Sequence, residues 1–156
     1  MAVHFTLGRL GALDLDRAAA LHAESFGPLG ERAWTRQDLG ELLASPGVAG
    51  LLLQADGRDV GFALCRVAAD EAELLTIMVR EVHRRHGAGR RLLKAVIDHV
   101  RDAGARSLFL EVGVDNPGAR NLYDSEGFCA VGNRPAYYSR RDGQMADGVV
   151  MRLNLT

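Results

Sequence analysis

The stretch from Glu73 to Gly104 constrains the fold most. An apolar strand, Glu73-Leu74-Leu75-Thr76-Ile77-Met78-Val79, runs into a charged loop, Arg84-Arg85-His86-Gly87-Ala88-Gly89, and then into an amphipathic helix. Leu92, Leu93, Val96, Ile97 and Val100 recur at helical spacing, so one apolar stripe faces a core while Arg91, Lys94, Asp98, Arg101 and Asp102 stay in water. Gly104 stands where a helix needs a left-handed residue to stop. At the other end, Gly87 and Gly89 remove side chains just where the first helical amides lack partners. An anion can therefore approach the backbone and meet the positive end of the helix dipole. The flanking arginines add to that preference. The loop is neither G-x-G-x-x-G nor a Walker loop, so it carries neither the dinucleotide nor the nucleoside triphosphate fingerprint. On residues alone it also reads as a glycine-containing strand-to-helix turn with its arginines in water.

The 156 residues suffice for one well-buried core and are short for two, so a single domain over residues 1–156 is expected. With 19 basic against 20 acidic side chains, no bulk field draws the chain to nucleic acid or to an acidic membrane surface. Cys65 and Cys129 are too far apart for metal spacing or a disulfide framework, and both read as buried structural thiols. No histidine has ligand spacing with another His, Cys or carboxylate cluster, so no metal is expected; His4, His22, His83 and His99 read as solvated or capping residues. The chain has no basic start followed by a long apolar stretch and no apolar run of about 18 residues, which points to a cytoplasmic protein.

Taken in order, Val3 to Leu7 forms a first strand, and Asp14 to Phe26 a helix behind an aspartate cap. A second helix starts at Thr35 with Asp38 three residues on, and ends at Ser45-Pro46-Gly47. Val48 to Gln54 and Val60 to Val67 form a hairpin through Asp56-Gly57, and with the next strand they make an antiparallel meander. The long helix and the strand Arg106 to Val112 complete a βαβ crossover. Asn116-Pro117 then opens a helix with an amide cap and proline in its first turn. Phe128 to Arg134 and Val149 to Leu155 form a last hairpin around a loop from Ala136 to Asp147. The order β-α-α-β-β-β-α-β-α-β-β gives an α/β fold of mixed, α+β character: a sheet of about seven strands with helices on both faces.

Arg84-x-x-Gly87-x-Gly89 after such a strand and before such a helix resembles the acyl-CoA pyrophosphate loop of the GNAT superfamily of N-acetyltransferases, and the element order matches that fold. Further stretches, Leu108-Phe109-Leu110-Glu111-Val112, Asp115-Asn116-Pro117, Leu122-Tyr123, Glu126-Gly127-Phe128 and Arg134-Pro135-x-Tyr137-Tyr138, resemble the RimI branch. Members of that branch acetylate the N-terminal alanine of a small-subunit ribosomal protein. The resemblance is good from Val48 to Leu155 and thin before it.

The resemblance implies acetyl-CoA as co-substrate, with Arg84, Arg85, His86, Gly87, Ala88, Gly89 and Arg90 around its diphosphate. It also implies backbone contacts to pantetheine from Ile77, Met78 and Val79, and contacts from Asn116 and Tyr123 near the acetyl end. Glu111 would be the base and Tyr123 the acid, while Trp34, Tyr137 and Tyr138 would border the acceptor peptide. The same scheme would serve a member acting on a small amine, an antibiotic or a lysine side chain. A non-catalytic CoA-binding regulatory module would have no need of Glu111 and Tyr123.

Overall fold

The computed structural model describes residues 3–26, 32–84, 86–140 and 142–156. The elements are β1 (Phe5–Arg9), α1 (Leu15–Phe26), α2 (Arg36–Ala44), β2 (Val48–Ala55), β3 (Arg58–Ala68), β4 (Glu71–Val79), α3 (Ala88–Asp102), β5 (Ser107–Gly113), α4 (Pro117–Ser125), β6 (Cys129–Ser139) and β7 (Met145–Asn154). The strands form one seven-stranded sheet in the order β1-β2-β3-β4-β5-β7-β6. Only β4 and β5 are parallel, and α3 is their crossover.

Local chemistry explains several boundaries. The Thr35 hydroxyl accepts from Asp38 N at 3.1 Å and the Asp38 carboxylate from Thr35 N at 2.9 Å, a reciprocal cap that opens α2. Asn116 Oδ1 accepts from Ala119 N at 3.2 Å with Pro117 beside it, which opens α4. Asp56 and Gly57 both take positive φ, 50° and 81°, as a two-residue hairpin turn of matching twist requires. Gly104, at φ 96°, ends α3.

The two sheet faces carry separate cores. On one, Leu92, Leu93, Val96 and Val100 of α3 pack with Leu108, Leu110, Val112, Tyr123, Phe128 and Met151. On the other, Ala18 and Leu21 of α1 and Leu39 of α2 pack with Leu52, Phe62, Leu64 and Met78. Gly61 lets β3 lie tightly against the end of β4, because a Cβ there would fall 2.2 Å from the Met78 carbonyl oxygen.

The feature that makes room for a site is the short ladder between β4 and β5. It holds only Glu71↔Ser107, Ala72↔Leu108 and Glu73↔Phe109. The register between β3 and β4 steps from Leu64↔Thr76 to Cys65↔Leu74, so Leu75 is an extra residue that bends β4. Beyond it, Thr76 to Val79 pairs with β3 alone, and β4 and β5 diverge.

Four sequence expectations need correction. First, β1 lies at Phe5–Arg9 rather than Val3 to Leu7. The stretch Ala136 to Asp147 is not simply a loop, since β6 and β7 resume pairing after a bulge, with Tyr138↔Ala146 and Ser139↔Met145. Pairing with a long partner strand outweighs local propensity there. Cys129 is exposed while Cys65 is buried, because β6 is an edge strand whose residues other than Tyr138 are all exposed. His22, finally, is buried rather than solvated, at 4% exposure. Among the described residues no helix is long and apolar enough to cross a membrane.

Candidate active site

The N-terminus of α3 is built as the loop chemistry predicts. Gly87 caps the helix at φ 80° and ψ 8°, a left-handed conformation that glycine adopts at no steric cost, and the space where a Cβ would stand is open. Gly89 packs close to Leu122, whose Cδ2 would lie 3.4 Å from a Cβ. The arginines are more engaged than the sequence suggests. Arg84 Nε donates to the Val79 carbonyl at 3.0 Å, tying the loop to the end of β4, and Arg90 pairs with Glu126 at 2.8 Å. Ala88 is buried and His86 exposed, while Arg85 lies outside the described residues. Among the described residues of the loop, the guanidinium groups of Arg84 and Arg90 are thus already engaged by Val79 and Glu126.

Next to it is the divergence of β4 and β5. Met78 sends its side chain into the α1–α2 core and Val79 into the α3 core, so what Ile77, Met78 and Val79 present to the gap is backbone. Glu111 stands on β5 just past the end of its ladder with β4, and Tyr123 lies in the core on the α3 face of the sheet. Leu110 and Val112 point into the α3–α4 core, so Glu111 between them points to the α1–α2 face. Its Oε1 forms an ion pair with Arg134, 2.8 Å from Nε.

Tyr123 is buried at 5% exposure, with its ring 5.7 Å from that of Phe128. Burial pushes its phenol above the ordinary value near 10, and the Tyr138 phenol acts in the same direction. The hydroxyl therefore stays protonated through neutral pH, the state a proton donor needs. Asn116 is exposed at the mouth of α4, where its side chain already caps the helix.

The β6–β7 hairpin closes the far side. Tyr137 and Tyr138 stand edge to face with centroids 5.0 Å apart. Beneath them Gly113 and Gly148 pair across β5 and β7, and neighbouring side chains crowd the space over both. A Cβ on Gly113 would meet Arg140 Nη2 and Asp115 Oδ1 at 2.6 Å each, and one on Gly148 would meet Tyr138 Cε2 at 3.2 Å. Arg140 grips Asp115 through both oxygens, at 2.6 and 2.7 Å, which ties the β5–α4 corner to the hairpin. Those hydrogen bonds hold the Asp115 carboxyl below its usual range.

Trp34 sits half-buried on the other flank, stacked on His22 with centroids 4.7 Å apart and donating its backbone N–H to His22 Nδ1 at 3.1 Å. Burial lowers the His22 pKa from 6.5 to about 4. Below pH 6.5 the unfolded chain therefore binds a proton that the fold refuses until about pH 4, so stability present above pH 6.5 is lost between those values, by up to about 3 kcal/mol. Urea unfolding at pH 7 and pH 4.5 is expected to show this loss, and His22→Asn, which retains an acceptor but does not titrate, is expected to lose less. An equal loss in both proteins would reject the assignment.

A family model described as the Acetyltransferase (GNAT) family matches residues 15–128. The chain belongs to the GNAT acetyltransferase family. This GNAT chain is 37% identical over 151 residues to the N-alpha-acetyltransferase RimI of Mycobacterium tuberculosis, covering 94% of this chain and 90% of that one. It is 36% identical over 118 residues to the [Ribosomal protein bS18]-alanine N-acetyltransferase of Haemophilus ducreyi, covering 74% and 81%. Its fold superposes on the crystal structure of the ribosomal-protein-S18-alanine N-acetyltransferase from Escherichia coli with a TM-score of 0.85 and 31% identity, covering 98% and 95%.

Three partners within this GNAT site were not assigned from sequence: Arg134 on Glu111, the Asp115–Arg140 clamp, and the Gly113–Gly148 floor. Arg134 and Asp115 lie in stretches that carried the resemblance. Nothing local in the sequence reveals which side chain each one meets.

Proposed function

We propose that this chain transfers the acetyl group of acetyl-CoA to the α-amine of an N-terminal alanine, with a ribosomal protein of the bS18 type as acceptor and the cytoplasm as the place of action. The observation that carries the reading is the gap between β4 and β5, beside the unobstructed N-terminus of α3, with a carboxylate on one sheet face and a protonated phenol on the other. The acceptor is argued from the relatives' names. In this scheme the diphosphate lies on the amides around Gly87 to Gly89, and pantetheine runs along Ile77 to Val79 as an extra strand would.

Only a neutral amine has the lone pair that attacks the thioester carbonyl. With a pKa near 7.7–8.0 an α-amine is a few hundredfold richer in that form at neutral pH than a lysine near 10.4, a difference of about 3.5 kcal/mol. A single carboxylate, Glu111, working directly or through one water, can remove the proton. The C–N bond forms as charge collects on the carbonyl oxygen, which a backbone amide near Met78 or Val79 stabilises. Collapse breaks the C–S bond, and Tyr123 gives its proton to the leaving thiolate. Tyr137, Tyr138 and Trp34 border the entering peptide.

Acetyl-CoA and an alanyl peptide containing an internal lysine are expected to yield one acetylated product, and the same peptide already blocked at its N-terminus none. Acetylation of the blocked peptide at its lysine, read by fragment masses, would reject the N-terminal acceptor.

A further inference from the structure

We propose that Arg134 is a positioning residue for Glu111. Its guanidinium holds one carboxylate oxygen so that the other faces the entering amine, an inference that rests on the base role of Glu111 given above. The contact is built by the sheet rather than by chance overlap of two long side chains. Two rows of paired residues cross β5, β7 and β6 side by side, Glu111↔Val150↔Gly132 and Gly113↔Gly148↔Arg134. Arg134 and Glu111 therefore stand diagonally across the same face. The row of Arg134 is completed by two glycines, Gly148 on β7 and Gly113 on β5, which put no side chain of their own between Arg134 and Glu111. The result is Nε to Oε1 at 2.8 Å.

Two further features fix the guanidinium. Its Cζ lies 4.9 Å from the Tyr137 ring centroid, a cation–π contact that adds a second anchor to the guanidinium. Immediately after Arg134, β6 bulges: Ala136 takes φ 52°, in the left-handed region that non-glycine residues avoid, and its N–H donates to Asp147 Oδ1 at 2.7 Å. That bond pins the bulge that turns Tyr137 toward Arg134. Strain held by a specific partner beside a candidate site is the pattern expected of a positioned element.

The Arg134 side chain is 55% exposed, so water screens the attraction between the charges and the pair adds little to stability. What the contact supplies is geometry. A glutamate has three rotatable side-chain bonds, and a base misplaced by about 1 Å can cost on the order of 100-fold in rate. With Oε1 held, Oε2 is the oxygen left to take the proton from the acceptor or its bridging water.

The test is a double-mutant cycle between Arg134→Met and Glu111→Gln, read as single-turnover transfer to an alanyl peptide at saturating acetyl-CoA. Arg134→Met is expected to slow transfer about 10- to 100-fold, with acetyl-CoA affinity and thermal midpoint unchanged, and Arg134→Lys to recover part of the loss. In the Glu111→Gln background Arg134→Met is expected to change the rate less than about twofold, because additive effects mean independent action. A loss in that background as large as in the wild type, or a rise in peptide KM with kcat unaltered, would overturn the proposal and make Arg134 an acceptor contact instead. Full activity of Glu111→Gln alone would remove the base reading itself, an outcome distinct from either. Arg134→Gln serves as the second substitution should Arg134→Met fold poorly.

Discussion

Glu111→Gln lowers the transfer rate about 100- to 10,000-fold at neutral pH and leaves acetyl-CoA affinity as it was. The amide has the shape of the carboxylate and still places an oxygen beside Arg134, whose Nε lies 2.8 Å from Glu111 Oε1, so the backbone around it survives. What it lacks is basicity, and an α-amine that is mostly protonated at neutral pH cannot attack until something takes its proton. The loss is expected on the chemical step, because the proposed diphosphate and pantetheine contacts lie away from Glu111, at the α3 N-terminus and on the backbone of β4. The pair is exposed on its arginine side, and removing its charge changes stability by no more than about 1 kcal/mol. Steady-state rates at saturating acetyl-CoA, with a calorimetric titration of acetyl-CoA, separate the two effects. A rate within threefold of wild type, roughly 0.6 kcal/mol of barrier, would remove Glu111 from the mechanism.

Gly61→Ala is the substitution expected to damage the fold most directly. A Cβ at this position falls 2.2 Å from the Met78 carbonyl oxygen and 3.0 Å from Val79 Cα, and both are backbone atoms of a paired strand that cannot swing aside. The strands must separate, at a cost of about 3 kcal/mol or more. The part of β4 that moves is Ile77 to Val79, whose other edge lines the gap toward β5, so acetyl-CoA affinity is expected to fall with stability. Gly8→Ala is the control, since a Cβ there meets nothing within 4 Å. It should stay within about 0.5 kcal/mol of wild type. Urea unfolding of the three proteins decides the matter, and a Gly61→Ala midpoint equal to that of wild type would show that β3 and β4 do not approach as described.

Elements specified by near neighbours were legible. The α3 stripe, the Thr35–Asp38 cap, the Asn116-Pro117 start and the Asp56-Gly57 turn each depend on residues within a few positions, and each is present. The errors fell where distant partners decide. The run from Ala136 to Asp147 has the composition of a loop, yet β6 and β7 pair on through it past a bulge held by an Asp147 carboxylate. His22 has no local mark of burial, but α1 turns it inward, where it accepts from Trp34. Cys129 begins a strand that lies at the sheet's edge, a position no apolar pattern announces.

By itself the sequence determined the glycine-capped start of α3, because the glycines and the left-handed cap are consequences of a few consecutive residues. Its resemblance to the family singled out Glu111 and Tyr123 as the carboxylate and phenol of the proposed chemistry. Only the tertiary structure decided that Glu111 faces away from the α3 core and pairs with Arg134, and that Tyr123 is buried on the opposite face of the sheet. Those facts follow from strand order, register and the bulge in β4, which arise from pairing between segments far apart in the chain.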